Sequence, residues 1–179
     1  MRKELRIAGF GGQGVITIGV LMAKALGQFG SYYVAQTQSY GPEARGGACK
    51  TDLVTSDREI DYIKPTRLDV LASMSQPSLD AYAHSLDSSN LLLIDSTLVH
   101  NVPDHFQNVS SIQATFFAEE KLGMRVVANV IMLGALAKTT GWVTPEACKQ
   151  ALADTMPEKV LDRNYEAFDL GYVQVTKER

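Results

Sequence analysis

Leu5-Arg6-Ile7-Ala8-Gly9-Phe10-Gly11-Gly12-Gln13-Gly14-Val15-Ile16 decides the fold: an apolar run meets a cluster of glycines, and an apolar helical pattern begins directly behind it. Leu5 to Phe10 reads as a strand. Val15 to Phe29 reads as a helix that is apolar on nearly every face, hence buried, and stopped by Gly30. Strand, glycine turn and helix in that order open an α/β unit, and the chain then repeats the alternation. Ser31 to Gln36, Ala48 to Thr55, Leu68 to Met74, Asn90 to Asp95 and Val109 to Ala114 predict further strands, with Gln76 to Leu86 as a crossover helix. The expectation is an α/β, Rossmann-like fold: a mainly parallel sheet with helices on both faces.

The last third changes character. Val126 to Lys138, Pro145 to Met156 and Lys159 to Leu170 carry helical patterns separated by Gly141 and Pro157, and these C-terminal helices should cover one side of the sheet or dock a partner. Ala128, Gly134, Ala135 and Ala137 give the first of them small side chains that permit close helix approach, which core packing and subunit contact explain equally well. No repeat, low-complexity tract or linker divides the sequence, so residues 1–179 are expected to form a single domain.

Composition narrows the function classes. The chain has 179 residues, is 45% hydrophobic and 21% charged, and carries a formal net charge of -3 with the signs interspersed, which argues against a nucleic-acid partner. Its longest apolar stretch, Val126 to Ala137, falls short of the roughly 20 residues a membrane span needs. Met1-Arg2-Lys3-Glu4 runs straight into a strand pattern rather than a secretory h-region, so a cytoplasmic location is expected. Cys49 and Cys148 lack Cys-x-x-Cys partners and read as two reduced thiols, not as ligands of zinc or an iron–sulfur cluster. His84, His100 and His105 show no ligand-type clustering and read as structural or solvated.

Two motifs can carry chemistry. Gly9-Phe10-Gly11-Gly12-Gln13-Gly14 has the G-x-G-x-x-G spacing between a strand and a helix, where free backbone N–H groups and the positive end of the helix dipole favour an anion. Gly11, Gly12, Gln13 and Gly14 are therefore candidate anion contacts; the competing reading is a sharp turn that serves packing alone. A phosphate-binding P-loop needs Lys-Ser or Lys-Thr after Gly14, and the chain has Val15-Ile16. A nicotinamide site needs an acid near the end of the second strand, and that strand ends in Ala35-Gln36-Thr37-Gln38. The second motif, Gln38 to Gly47, is a polar, glycine-rich link that leaves Arg45 as a forked donor for carboxylate or phosphate. Both links leave strand ends on what should be one edge of the sheet. Asn129 and Asn164 lie inside apolar helical patterns and need polar partners, through loop capping or interface contact.

With both motifs in view, the chain resembles the gamma subunit of the 2-oxoacid:ferredoxin oxidoreductases, which corresponds to the central domain of single-chain pyruvate:ferredoxin oxidoreductase. The resemblance rests on Gly9 to Val15, Ser39 to Gly47, Asn129 with Gly134, and Asn164 to Gly171, and spans nearly the whole length. It implies a complex that oxidatively decarboxylates a 2-oxoacid with thiamine diphosphate, passes electrons through iron–sulfur clusters to ferredoxin, and forms an acyl-CoA. This chain has no Gly-Asp-Gly thiamine-diphosphate signature and no cysteine cluster, consistent with a family in which other subunits hold those cofactors; none is expected here, and the isolated chain should be inactive. Gln36 to Gly47 is more similar to 2-oxoglutarate-type members than to the pyruvate type. On this reading Gly11, Gly12, Gln13, Gly14 and Arg45 are candidate contacts for coenzyme A or another anion. Tyr40, Gly41, Pro42, Glu43, Gly46, Gly47 and Asn129 are candidate interface or loop residues. The alternatives are a purely structural scaffold subunit and a free-standing nucleotide-binding α/β protein.

Overall fold

The computed structural model describes residues 1–39 and 48–179. Its chain order is β1 (Arg2–Gly9), α1 (Val15–Gly27), β2 (Tyr33–Ser39), β3 (Cys49–Ser56), β4 (Leu68–Ser73), α2 (Gln76–Tyr82), β5 (Leu86–Asp95), β6 (Val109–Ile112), α3 (Ala114–Glu120), α4 (Ala128–Thr140), α5 (Pro145–Thr155), α6 (Leu161–Gln174) and β7 (Thr176–Lys177). Among the described residues these strands form one sheet in the order β2-β3-β1-β4-β5-β6-β7.

The α/β expectation holds, with a mixed sheet. β1, β4, β5 and β6 pair in parallel. β3 lies antiparallel between β1 and β2, and β7 closes the far edge antiparallel to β6. Parallel neighbours need a crossover of a dozen or more residues, and the link from Ser39 to Cys49 is too short for one, so β2 returns as an antiparallel neighbour. The placement of β3 beside β1 departs from a dinucleotide-binding fold, in which a parallel second strand would stand there. Several boundaries also differ from the sequence reading: α2 ends at Tyr82, β5 already begins at Leu86, and β6 stops at Ile112, after which the chain turns into α3, a helix whose seven residues are too few for a clear period.

The central strands are buried on both faces, which is why Leu91-Leu92-Leu93-Ile94 reads as a continuous apolar run rather than an alternating one. Leu5, Ile7, Val70, Ala72, Leu91, Leu93 and Ile112 join α1 and α4 in the larger core. Ala8, Leu71, Leu92 and Ile94 turn to the opposite face, where Leu79 and Tyr82 of α2 and the loop residues Val99 and Phe106 cover them. All ten residues from Ala128 to Ala137 are buried, because α4 is enclosed between the sheet and α6. A Cβ on Gly134 would run into the Phe168 carbonyl, and one on Gly171 into the Ile131 carbonyl, so the small side chains of α4 serve an intramolecular helix contact. α5 packs on α1, and together α5 and α6 form an outer layer on one side of the sheet.

Two ion pairs with buried carboxylates fix the sheet. Arg6 and Asp52 stand opposite each other on β1 and β3 and join through Nε to Oδ1 at 2.7 Å and an Nη to Oδ2 at 2.9 Å. Glu4 accepts from Arg2 Nε at 2.7 Å, from the Thr66 and Arg67 backbone N–H groups at 2.6 and 2.7 Å, and from the Thr66 hydroxyl at 3.1 Å, tying the loop before β4 to β1. Burial pushes the Glu4 carboxyl up, but these donors together outweigh it and hold the group below its ordinary value. No helix among the described residues is long and apolar enough to cross a membrane.

Candidate functional site at the carboxyl edge of the sheet

The carboxyl ends of β1, β4, β5 and β6 come to one edge, since Ala8 pairs with Ser73, Ser73 with Ile94, and Asp95 with Ile112. The glycine motif leaves β1 there. Gln13 folds back over it: its Oε1 accepts the Phe10 N–H at 2.6 Å and its Nε2 donates to the Met74 carbonyl at 3.0 Å, just past β4. Both polar ends of this side chain are thus held by backbone, one local and one from across the sheet edge. Gly12 and Gly14 adopt φ of 92° and 72°, the left-handed region that favours glycine.

Gly14 is the N-cap of α1, and no side chain caps this helix. Its first N–H groups and its dipole are thus left facing the edge. Asn129, in the first turn of α4, packs against Gly14: a Cβ at residue 14 would stand 3.0 Å from Asn129 Cγ. Asn129 is 7% exposed, and its amide makes no hydrogen bond among the described residues. The amide of this buried residue therefore lies beside an uncapped helix start. Asn164, by contrast, donates to the Val160 carbonyl at 2.8 Å and holds the start of its own helix.

Beside these residues opens a cavity of about 230 Å³, lined by Gly12, Gln13, Met74, Thr115, Arg125, Val126 and Ala128. Thr115 and Arg125 were not singled out by the sequence. Arg125 pairs with Glu119 at 2.9 Å and adds a cation to the wall. Thr115 is fixed by Asp95, fully buried at the end of β5, whose Oδ2 accepts the Thr115 hydroxyl at 2.6 Å and its N–H at 3.1 Å, while Oδ1 accepts the Thr97 N–H at 3.1 Å. The one available signal was an acid closing an apolar strand. With that carboxylate fully engaged, the arrangement is suited to holding an anion rather than to breaking a bond. Around it Phe10, Phe116 and Val126 are exposed at 39%, 43% and 68%, the apolar rim expected of a surface that meets another protein.

The second motif falls partly outside the described residues: Tyr40, Gly41, Pro42, Glu43, Arg45, Gly46 and Gly47 belong to the undescribed stretch. Its described flanks lie at the same edge, since Gly9 pairs with Cys49 and Ser39 with Lys50. Among the described residues no three His, Cys, Asp or Glu side chains gather in a way that could hold a metal ion. The thiols are free; burial, with a smaller contribution from Glu146, pushes Cys148 up to about 12, and burial also raises half-buried Cys49.

Comparison with known proteins places this geometry in context. Residues 4–174 match the family described as pyruvate ferredoxin/flavodoxin oxidoreductase. The chain is 44% identical over 177 residues to the 2-oxoglutarate synthase subunit KorC of Methanothermobacter marburgensis, covering 96% of this chain and 95% of that one. It is 40% identical over 180 residues to the KorC subunit of Methanocaldococcus jannaschii, with 99% and 96% covered. Among solved structures, the keto/oxoacid ferredoxin oxidoreductase gamma subunit from Geobacter sulfurreducens superposes with a TM-score of 0.90 at 36% identity, over 97% of this chain and 96% of that one.

Proposed function

This chain belongs to the pyruvate ferredoxin/flavodoxin oxidoreductase family as a gamma-type subunit of a 2-oxoacid:ferredoxin oxidoreductase, and on that premise we propose that its carboxyl edge receives an anionic group of a substrate in a complex acting on 2-oxoglutarate. That complex oxidatively decarboxylates the 2-oxoacid, forms the acyl-CoA and reduces ferredoxin in the cytoplasm. Thiamine diphosphate and the iron–sulfur clusters belong to the partner subunits, because two isolated cysteines cannot supply the four thiolates such a cluster takes. The 2-oxoglutarate assignment draws support from the wording of Gln36 to Gly47 and from the relatives at 40% and 44% identity.

The observation that carries the proposal is the uncapped start of α1 at Gly14 with the unpartnered Asn129 amide beside it. Those donors, with Gly11, Gly12 and Gln13 behind them and Arg45 in the stretch of sequence that links β2 to β3, fit a coenzyme A phosphate or the carboxylate of the 2-oxoacid. The apolar rim of Phe10, Phe116 and Val126 fits the subunit contact that completes the cleft.

The test is steady-state kinetics of the assembled complex, varying coenzyme A and 2-oxoglutarate separately, with assembly followed by gel filtration. Arg45→Ala and Asn129→Ala are expected to raise the KM of one substrate about ten- to a hundredfold, the loss of one charge-assisted hydrogen bond in the first case. Complexes that assemble and keep wild-type kinetics for both substrates would leave the chain a scaffold, and failure to assemble would make these loops a subunit contact.

A further inference from the structure

At the opposite end of the sheet, where the parallel strands begin, lies a cavity of about 660 Å³. That volume is within the range of pockets that take small organic ligands. Its walls come from the first residues of β1, β4 and β6, from the middle of β5, from β7, and from the C-terminal end of α4 with the turn behind it. Neither the sequence motifs nor the carboxyl-edge site draws on it.

Three lysines line it. Lys3 lies on β1, Lys138 on the last turn of α4, with its Nζ 5.0 Å from the centre of the Tyr172 ring, and Lys177 on β7, and none has a carboxylate partner among the described residues. The other charges on the wall are already engaged. Arg2 is divided between Glu4 and the carbonyls of Tyr62 and Lys64, and Asp69 accepts the Glu4 backbone N–H at 2.8 Å. The excess is positive.

The floor and one side are of different chemistry. Ser110 is 4% exposed, lines the cavity from β6, and its hydroxyl makes no hydrogen bond among the described residues, so a donor is left open to an occupant. It sits opposite Lys177 in the β6–β7 register, which puts that lysine on the same face of the sheet. Trp142 provides an aromatic wall, with Lys3 Nζ 5.0 Å from the centre of its ring.

From this juxtaposition we propose that the amino-edge cavity binds a small organic phosphate, its anionic head among Lys3, Lys138 and Lys177 and the Ser110 hydroxyl, its carbon body against Trp142. Phosphate is favoured over a single carboxylate because three lysines line one cavity and its charge is higher, and lysine binds phosphate as a point charge. α4 (Ala128–Thr140) carries Asn129 against Gly14 in its first turn and Lys138 in this cavity in its last, so one buried helix of about 20 Å spans from the candidate anion site to it.

Trp142 is the only tryptophan of the chain, so its emission reports the cavity directly. The full-length chain is titrated with ADP at low salt, with inorganic phosphate and citrate in parallel. A saturable change in emission is expected with ADP at sub-millimolar concentration, weaker with phosphate and citrate, and screened by added salt. The Lys138→Gln/Lys177→Gln double variant should bind ADP at least about tenfold more weakly while keeping its thermal midpoint without ligand and its assembly with the partner subunits. An absent response, citrate binding as tightly as ADP, unchanged affinity in the double variant, or loss of assembly would each overturn the proposal.

Discussion

Asn129 occupies the space that a side chain at residue 14 would need: a Cβ built on Gly14 would lie 3.0 Å from Asn129 Cγ and 3.2 Å from its Cβ, with Nδ2 closer still. The start of α1 and the start of α4 therefore share one packed position. Backbone conformation and tertiary contact both select glycine at residue 14, whose φ is 72°.

Gly14→Ala should accordingly destabilise the chain by about 1–3 kcal/mol, part from the left-handed backbone and part from displacing Asn129. Asn129→Ala removes the amide but not its Cβ, so it should recover only the second part. Urea unfolding of both single variants and the double variant measures this, and the interaction energy of the cycle should be at least about 0.5 kcal/mol. Strict additivity would show that the two residues do not share the space.

The α4–α6 contact should be less forgiving. At Gly134 and Gly171 an added Cβ meets the backbone of the facing helix rather than a movable side chain. Gly171→Ala is expected to cost about 3 kcal/mol or more, or to prevent folding, whereas Gly123→Ala, with nothing within 4 Å but φ of 64°, should cost only about 1 kcal/mol. Denaturation midpoints of the two variants give the comparison.

Glu4 sets an acid-side signature. Its folded-state pKa is lowered, so the stability it contributes is complete above the ordinary value of 4.5 and is lost as pH falls through the lower folded value. Glu4→Ala leaves the Thr66 and Arg67 N–H groups without their acceptor, for an expected loss of about 1–3 kcal/mol at pH 7. Thermal midpoints measured from pH 7 down to about 3 should converge for the two proteins as the wild-type carboxyl takes up its proton. A constant gap over that range would assign the effect to packing alone.

The thiols should react in a fixed order. Cys148 is fully buried and held near 12, and Cys49 is half-buried and raised, so alkylation of the native chain at pH 8 should label Cys49 slowly and Cys148 only after unfolding. Mass spectrometry before and after addition of urea reads this directly, and rapid native labelling of Cys148 would contradict its burial.

Much of the fold was legible because it rests on local pattern. The apolar runs of β1, β4 and β5, the glycines behind β1 and the all-apolar α4 announce buried strands, a tight turn and an enclosed helix, since period and backbone freedom are properties of short stretches. The resemblance carried by Gly9 to Val15 and Asn129 likewise pointed to the family. The anion site was half visible: the glycine turn was evident, but not its partner.

What the tertiary structure alone decided is long-range. The antiparallel insertion of β3 and the added β7 follow from which strands meet across the sheet, and no local period encodes a partner. Gln13 bonding Met74, Asp95 holding Thr115, and Asn129 standing on Gly14 join residues far apart in the chain, as does the gathering of Lys3, Lys138 and Lys177 around one cavity. Each residue taken singly reads as an ordinary loop, helix or surface position. Only closure of the sheet and packing of α4 upon it brings their donors, charges and volumes within bonding distance, where Coulomb and hydrogen-bond energies of short range can act.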